Sequence, residues 1–268
     1  MPRMMPPALP RLAACLTALV LLVPPALAQA TELAAHRAFY RLTLASTGNS
    51  GVTSASGAME YEVINGCTGW ATEQRLDMTV LDREGGDTHT ISDYTTWESK
   101  DGRTFRFRIT QSSNGTADVQ AGYAELPPGH AGFAVYTQPR QKRVSLPAGT
   151  VFPMTQTRAL IAAAADGKTF VSLPVFDGTT QSGPENTFAI ITTHDQKLPS
   201  HFTPLDHRLS FFVHLGYFEP NRAQLLPDTL IGMRYWDNGV AGDLSLDFGN
   251  FTMAGDLAKF QLLPSHCG

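Results

Sequence analysis

The chain has 268 residues, with 20 Lys and Arg against 24 Asp and Glu, and a formal net charge of −4. That mild acidity, with no long basic run to override it, excludes the electrostatic footprint of a nucleic-acid binder. No Pro/Gly/Ser linker, internal repeat or low-complexity tract divides the sequence, and its length suits one large β domain as well as two small ones.

The first 28 residues have the three parts of a secretory signal. Arg3 and Arg11 form a basic start, and no acidic residue precedes Glu32. Leu12 to Val23 is apolar but too short to span a bilayer. Ala26-Leu27-Ala28 is a small-x-small site, so cleavage after Ala28 is expected, with Ala28-Gln29-Ala30 as an alternative. Leu12-Ala13-Ala14-Cys15 has the outline of a lipoprotein box, but the apolar run follows Cys15 instead of preceding it. Removal of residues 1–28, with Arg3 and Arg11, takes the net charge from −4 to −6. The expected mature protein, residues 29–268, is soluble, not membrane-spanning and outside the cytoplasm.

Alternation with period two then recurs along the chain, the pattern of strands with one face on a core and the other in water. It runs through Ala38, Tyr40, Leu42 and Leu44, then Met59, Tyr61 and Val63, then Leu76, Met78 and Val80, then Phe105, Phe107 and Ile109. Later it returns in Leu209, Phe211, Val213, Leu215 and Tyr217, then Ile231, Met233 and Tyr235, then Leu244, Leu246 and Phe248. Turn signals separate the runs, among them Asn65-Gly66, Asn114-Gly115, Asp177-Gly178 and Asn238-Gly239.

One segment breaks the alternation. Pro153 to Asp166 is rich in helix formers, with Pro153 suited to the first turn and Gly167 to the position past the end. A helix of about three turns is predicted there, with Leu160, Ile161 and Ala164 toward the sheet. Residues 30–36 could add a short helical entry. About a dozen strands against one good helix predict a long antiparallel sheet that covers itself by curling.

Cys67 and Cys267 remain after signal removal, and an even pair in an oxidising compartment reads most simply as a disulfide. It would close a loop of about 200 residues, worth about 5 kcal/mol in the chain-entropy model.

No recognised catalytic motif is present: no G-x-S-x-G, G-x-G-x-x-G, P-loop, H-E-x-x-H or C-x-x-C. His194, His201, His207 and His214 cluster with Asp195 and Asp206. With His207 and His214 in one predicted strand, their odd spacing points them to opposite faces, so no metal site is expected. The paired Glu60 and Glu62, and the knot Arg140, Lys142 and Arg143, read as surface charge. Trp70, Trp97 and Trp236 could line a ligand cavity or pack as core.

The chain resembles the periplasmic cell-envelope integrity proteins of the EipB family of alphaproteobacteria. The resemblance rests on Ala35-His36-Arg37-Ala38-Phe39-Tyr40, Gly57-Ala58-Met59-Glu60-Tyr61-Glu62 and Cys67-Thr68-Gly69-Trp70 at the front. In the middle it rests on Leu146-Pro147-Ala148-Gly149-Thr150-Val151-Phe152-Pro153 and Val175-Phe176-Asp177-Gly178, and at the end on Asn238-Gly239-Val240 and Leu262-Leu263-Pro264 before Cys267. It implies a mainly β fold, a β-spiral or open barrel-like curled antiparallel sheet with one or two helices, closed by a disulfide between Cys67 and Cys267. It implies a non-enzymatic periplasmic protein that supports envelope integrity, with no catalytic residues and no cofactor to assign. The expected action is binding of a peptide, lipid or partner protein of the envelope on the concave sheet, or carriage of a lipid or lipoprotein. Phe105, Phe107, Phe211 and Tyr217 are the candidate groove residues.

Overall fold

The computed structural model describes residues 32–48, 51–220 and 225–265, without the side chain of Asp195. The predicted signal, residues 1–28, and Cys267 lie outside the described residues. Eight strands come first: β1 (His36–Ser46), β2 (Val52–Asn65), β3 (Gly69–Asp82), β4 (Asp87–Ser99), β5 (Thr104–Ser113), β6 (Thr116–Glu125), β7 (Gly132–Gln138) and β8 (Lys142–Leu146). The helix α1 (Pro153–Ala165) follows. Six further strands follow: β9 (Phe170–Val175), β10 (Glu185–Gln196), β11 (Ser210–Phe218), β12 (Thr229–Trp236), β13 (Ala241–Asp247) and β14 (Thr252–Leu262).

All fourteen strands among the described residues form one sheet, in the order β8-β7-β6-β5-β4-β3-β2-β1-β14-β13-β12-β11-β10-β9. Each half is a meander, and the antiparallel pairing of β1 with β14 joins the halves in the middle, with His36 opposite Leu262 and Leu44 opposite Met253. Most period-two residues lie where alternation puts them, but Leu209 and Phe248 fall just outside β11 and β13 and are exposed. Ala38, Tyr40 and Leu42 of β1, and Phe211, Val213 and Leu215 of β11, are buried on the concave face. These strands share one core with Leu160, Ile161 and Ala164 of α1, so the two halves of the sheet bend toward each other around the helix.

Five of the eight buried members of a second core are aromatic, with Ala124, Ala134 and Leu146 the others. Phe105 and Phe107 of β5 and Tyr136 of β7 meet Phe152, just before α1, and Phe176, just after β9. Phe105 stacks on Phe152 with centroids 4.9 Å apart, and Phe107 meets Phe176 edge-on at 5.7 Å. The residues flanking the helix and the β9 edge thus dock into the concave face of β5–β7.

α1 begins where the sequence places it, and Asp166 is its C-cap. Phe152 at the N-cap supplies no side-chain bond. Glu98, fully buried on β4, takes that role: its carboxylate accepts the Met154 N–H at 2.7 Å and the Thr155 N–H at 2.8 Å.

The expected fold needs correction in two places, and of the one or two helices expected one α-helix is present among the described residues. The sheet is open and not closed by a disulfide: β8 and β9 are its two free edges. The nearest approach to closure is a bridge from Val151, past the end of β8, to Val175 at the end of β9. No disulfide closing the sheet is present among the described residues. Cys67 is disulfide-bonded, but it sits in the turn between β2 and β3, in the middle of the strand order, so a bond from it does not join the two edges. There is no second α-helix among the described residues: Glu32–Ala35 are irregular and His36 opens β1; a short 3-10 turn, Thr203–Leu205, lies elsewhere. Finally, His207 does not share a strand with His214, because β11 starts at Ser210 and His207 lies in a turn with φ of 51°.

Candidate functional site

The curled sheet encloses a cavity of about 370 Å³, within the usual range of ligand pockets. Its wall comes from both halves of the sheet: β1–β4 on one side and β11–β13 on the other, with the first turn of α1 between them. On β13 alone the lining extends from Ala241 to Asp247, a length of about 20 Å at ~3.3 Å per residue. It ends at Phe248, which is 40% exposed, so the cavity meets the surface at the turn between β13 and β14.

Five of the seven tyrosines line this space: Tyr40, Tyr61, Tyr94, Tyr217 and Tyr235. Tyr40 donates to the Ala241 carbonyl at 2.8 Å, and Tyr94 donates to the Asp177 carbonyl at 2.5 Å. The hydroxyls of Tyr61 and Tyr217 have no hydrogen-bond partner among the described residues. Burial pushes all five phenols above their ordinary range, so they act as neutral polar groups. The rest of the wall is largely aliphatic, with Leu76, Leu215, Ile231 and Leu246 among its members.

At the inner end His36 is 2% exposed and packed between the rings of Tyr61 and Phe260. Its Nδ1 lies 2.8 Å from the Ala34 carbonyl, which can only accept, so Nδ1 carries the proton. Burial lowers its pKa and keeps the ring neutral.

At the outer end Asp177 follows β9. Its Oδ1 accepts the N–H and the hydroxyl of Thr179 at 2.9 and 2.8 Å. Burial raises its pKa, against the lowering effect of those bonds. Nearby, Glu185 is raised to about 7, first by burial and then by Asp177, Asp228 and Glu219. Asp247 lines the same end and caps the turn at Gly249 through a 2.7 Å bond. No Lys or Arg lines the cavity among the described residues.

Of the four groove candidates, Tyr217 lines the cavity. Phe211 is buried in the main core, while Phe105 and Phe107 belong to the second, solid core. Trp70 and Trp236 are buried outside the cavity wall, and Trp97 does not line it. Glu62 pairs across strands with Arg37 at 2.5 Å on the outer face. The histidine cluster is dispersed: His194 contacts the Ala164 carbonyl, His207 the Lys197 carbonyl, and His214 the Phe212 ring. Among the described residues no three His, Cys, Asp or Glu converge as metal ligands.

Comparison with known proteins places this architecture. A family model described as EipB-like matches residues 27–264. The cell envelope integrity protein EipB of Brucella abortus is 30% identical over 244 residues, covering 88% of this chain and 86% of that protein. A crystal structure from Brucella abortus, described as a β-barrel-like protein of a domain of unknown function, superposes with a TM-score of 0.81 at 28% identity. It covers 88% of this chain and 100% of the solved one.

Proposed function

The chain belongs to the EipB-like family, and from that membership we propose that it supports the integrity of the cell envelope from the periplasm, as a non-enzymatic binding protein. The observation that carries the mode of action is the cavity inside the curled sheet. A scaffold that works through its outer surface needs no enclosed apolar space. A protein that holds an aliphatic chain needs one, and a wall mostly of aliphatic side chains and neutral phenols, with Thr, Gln and acidic residues between them, supplies it. The proposed ligand is therefore the acyl or alkyl part of an envelope lipid or lipoprotein, taken up at the β13–β14 end. That favours the carrier reading over a peptide laid on the sheet: the inner strands are paired on both sides, and β8 and β9 alone offer edges for strand addition.

Native mass spectrometry of protein purified from periplasm tests this directly, since a bound lipid appears as added mass. Binding of a homologous series of short-chain alcohols provides the in vitro counterpart. Affinity is expected to rise about fourfold per methylene, following ~0.8 kcal/mol for each buried CH₂, until the cavity is filled. Affinity independent of chain length would reject the cavity as the binding site.

A further inference from the structure

The cavity wall carries a charge pattern that goes beyond an apolar lining. An anionic head group carried inward would find no cation among the described residues, because none of the lining residues is Lys or Arg. The neutral phenols and the neutral His36 cannot replace one, and an ion buried without a partner is strongly disfavoured. A head group left at the outer end meets carboxylates instead. Asp177 and Asp247 both line that end: Asp177 follows β9, whose Val175 pairs with Glu185 of β10, and the register continues from Thr187 to Tyr217, from Tyr217 to Thr229 and from Leu230 to Asp247. Glu185 lies beside Asp177. None of these three acids has a described cationic partner, and Asp177 donates nothing while accepting both of its bonds from Thr179. The open hydroxyl of Tyr217 adds a neutral donor and acceptor at the same place.

We propose that the cavity discriminates its ligands by charge, taking an alkyl chain whose polar group is an amine or a hydroxyl and turning away carboxylates, phosphates and sulfates of the same length. The alkyl chain runs along β13 toward His36, and the polar group stays among Asp177, Tyr217 and Asp247. This inference rests on the reading that the cavity holds an aliphatic chain. It adds the polar group that reading leaves open.

The test uses three probes of one chain length, dodecylamine, dodecanol and dodecanoate, below their micellar concentrations and at about pH 8, where the amine is protonated and the carboxylate ionised. Displacement of a neutral fluorescent probe from the intact protein gives the three affinities. Dodecylamine is expected to bind at least tenfold tighter than dodecanoate, with dodecanol between them. In the double variant Asp177→Asn, Asp247→Asn the amine-to-carboxylate ratio is expected to fall at least tenfold, and an unchanged ratio overturns the charge selection. Salt gives a second readout that needs no variant: the same ratio in the native protein shrinks from low to high ionic strength as the charges are screened. Dodecanoate binding as tightly as dodecylamine, or a ratio indifferent to salt, overturns the charge selection. If none of the three binds, the aliphatic-chain reading itself is overturned.

Discussion

Glu98 holds Thr155 twice: its Oε1 accepts the Thr155 backbone N–H at 2.8 Å and the Thr155 hydroxyl at 2.5 Å. The other oxygen accepts the Met154 N–H. A strand residue far back in the chain thus caps the only α-helix among the described residues, and it fixes the first turn of that helix against the cavity.

Removing this cap should be costly. Glu98→Ala leaves two buried N–H groups without acceptors, and the expected loss is about 2–3 kcal/mol. Chemical denaturation of the variant beside the native protein measures it. Glu98→Gln retains the shape and one acceptor, so its loss should be smaller.

The same residue predicts a dependence on pH. Burial raises the Glu98 pKa from 4.5 to about 7, outweighing the bonds from Thr155 and Met154. The folded state therefore binds a proton more tightly than the unfolded chain. The stabilisation is fully present below pH 4.5 and lost as pH rises to about 7, a change of about 3 kcal/mol. His36 acts in the opposite direction, because its lowered pKa costs stability as pH falls below 6.5. Glu185, half-buried and also raised to about 7, adds a smaller slope of the same sign as Glu98. The quantity to measure is thus the difference between the native protein and Glu98→Gln across this range, which isolates the Glu98 contribution.

Filling the cavity should separate binding from folding. Ile231→Trp places a larger side chain from β12 into open space. It is expected to change stability by less than about 1.5 kcal/mol, because there is volume to receive the ring. Affinity for a long-chain alcohol is expected to fall at least tenfold. Equal affinity in the two proteins would show that the chain binds elsewhere.

Gly178 sits where the chain leaves Asp177, with φ of 82°. A Cβ there would overlap the ring of Phe107, a member of the second core. Gly178→Ala should cost about 2–4 kcal/mol, from left-handed strain and the clash together. Thermal denaturation gives the measurement, and relief on adding Phe107→Leu distinguishes the clash from the strain.

These positions also mark how much could be read in advance. Tyr40, Tyr61, Tyr217 and Tyr235 fall on the apolar side of alternating runs, so their inward direction is legible from period two. Period two does not say which interior a side chain enters. Phe105 and Phe107 obey the same rule as Tyr217 and end in a solid aromatic core, because Phe152 and Phe176 arrive from elsewhere in the chain to fill that part of the curl. The extent of α1 follows from Pro153 and Gly167, but its cap does not, since Glu98 is brought to it only by the fold. The acids Asp177 and Asp247 stand far apart in sequence and become neighbours of one opening through strand order. The error about His207 arose where a turn with positive φ interrupts an apparently continuous alternation.

The pairing of β1 with β14 has a consequence for the birth of the molecule. Tyr40 and Ala241, joined by a hydrogen bond beside that pairing, are 201 positions apart. The first strand waits for its second neighbour until the last strand has been made. Until then β1 is an unpaired edge of the first meander, at what becomes the centre of the finished sheet, and contacts of such long range are slow to form. β14 must leave the ribosome before the two halves can find each other. The sheet is completed when its first and last strands in chain order meet in its middle, and the chain's exposure to aggregation lasts as long as that search.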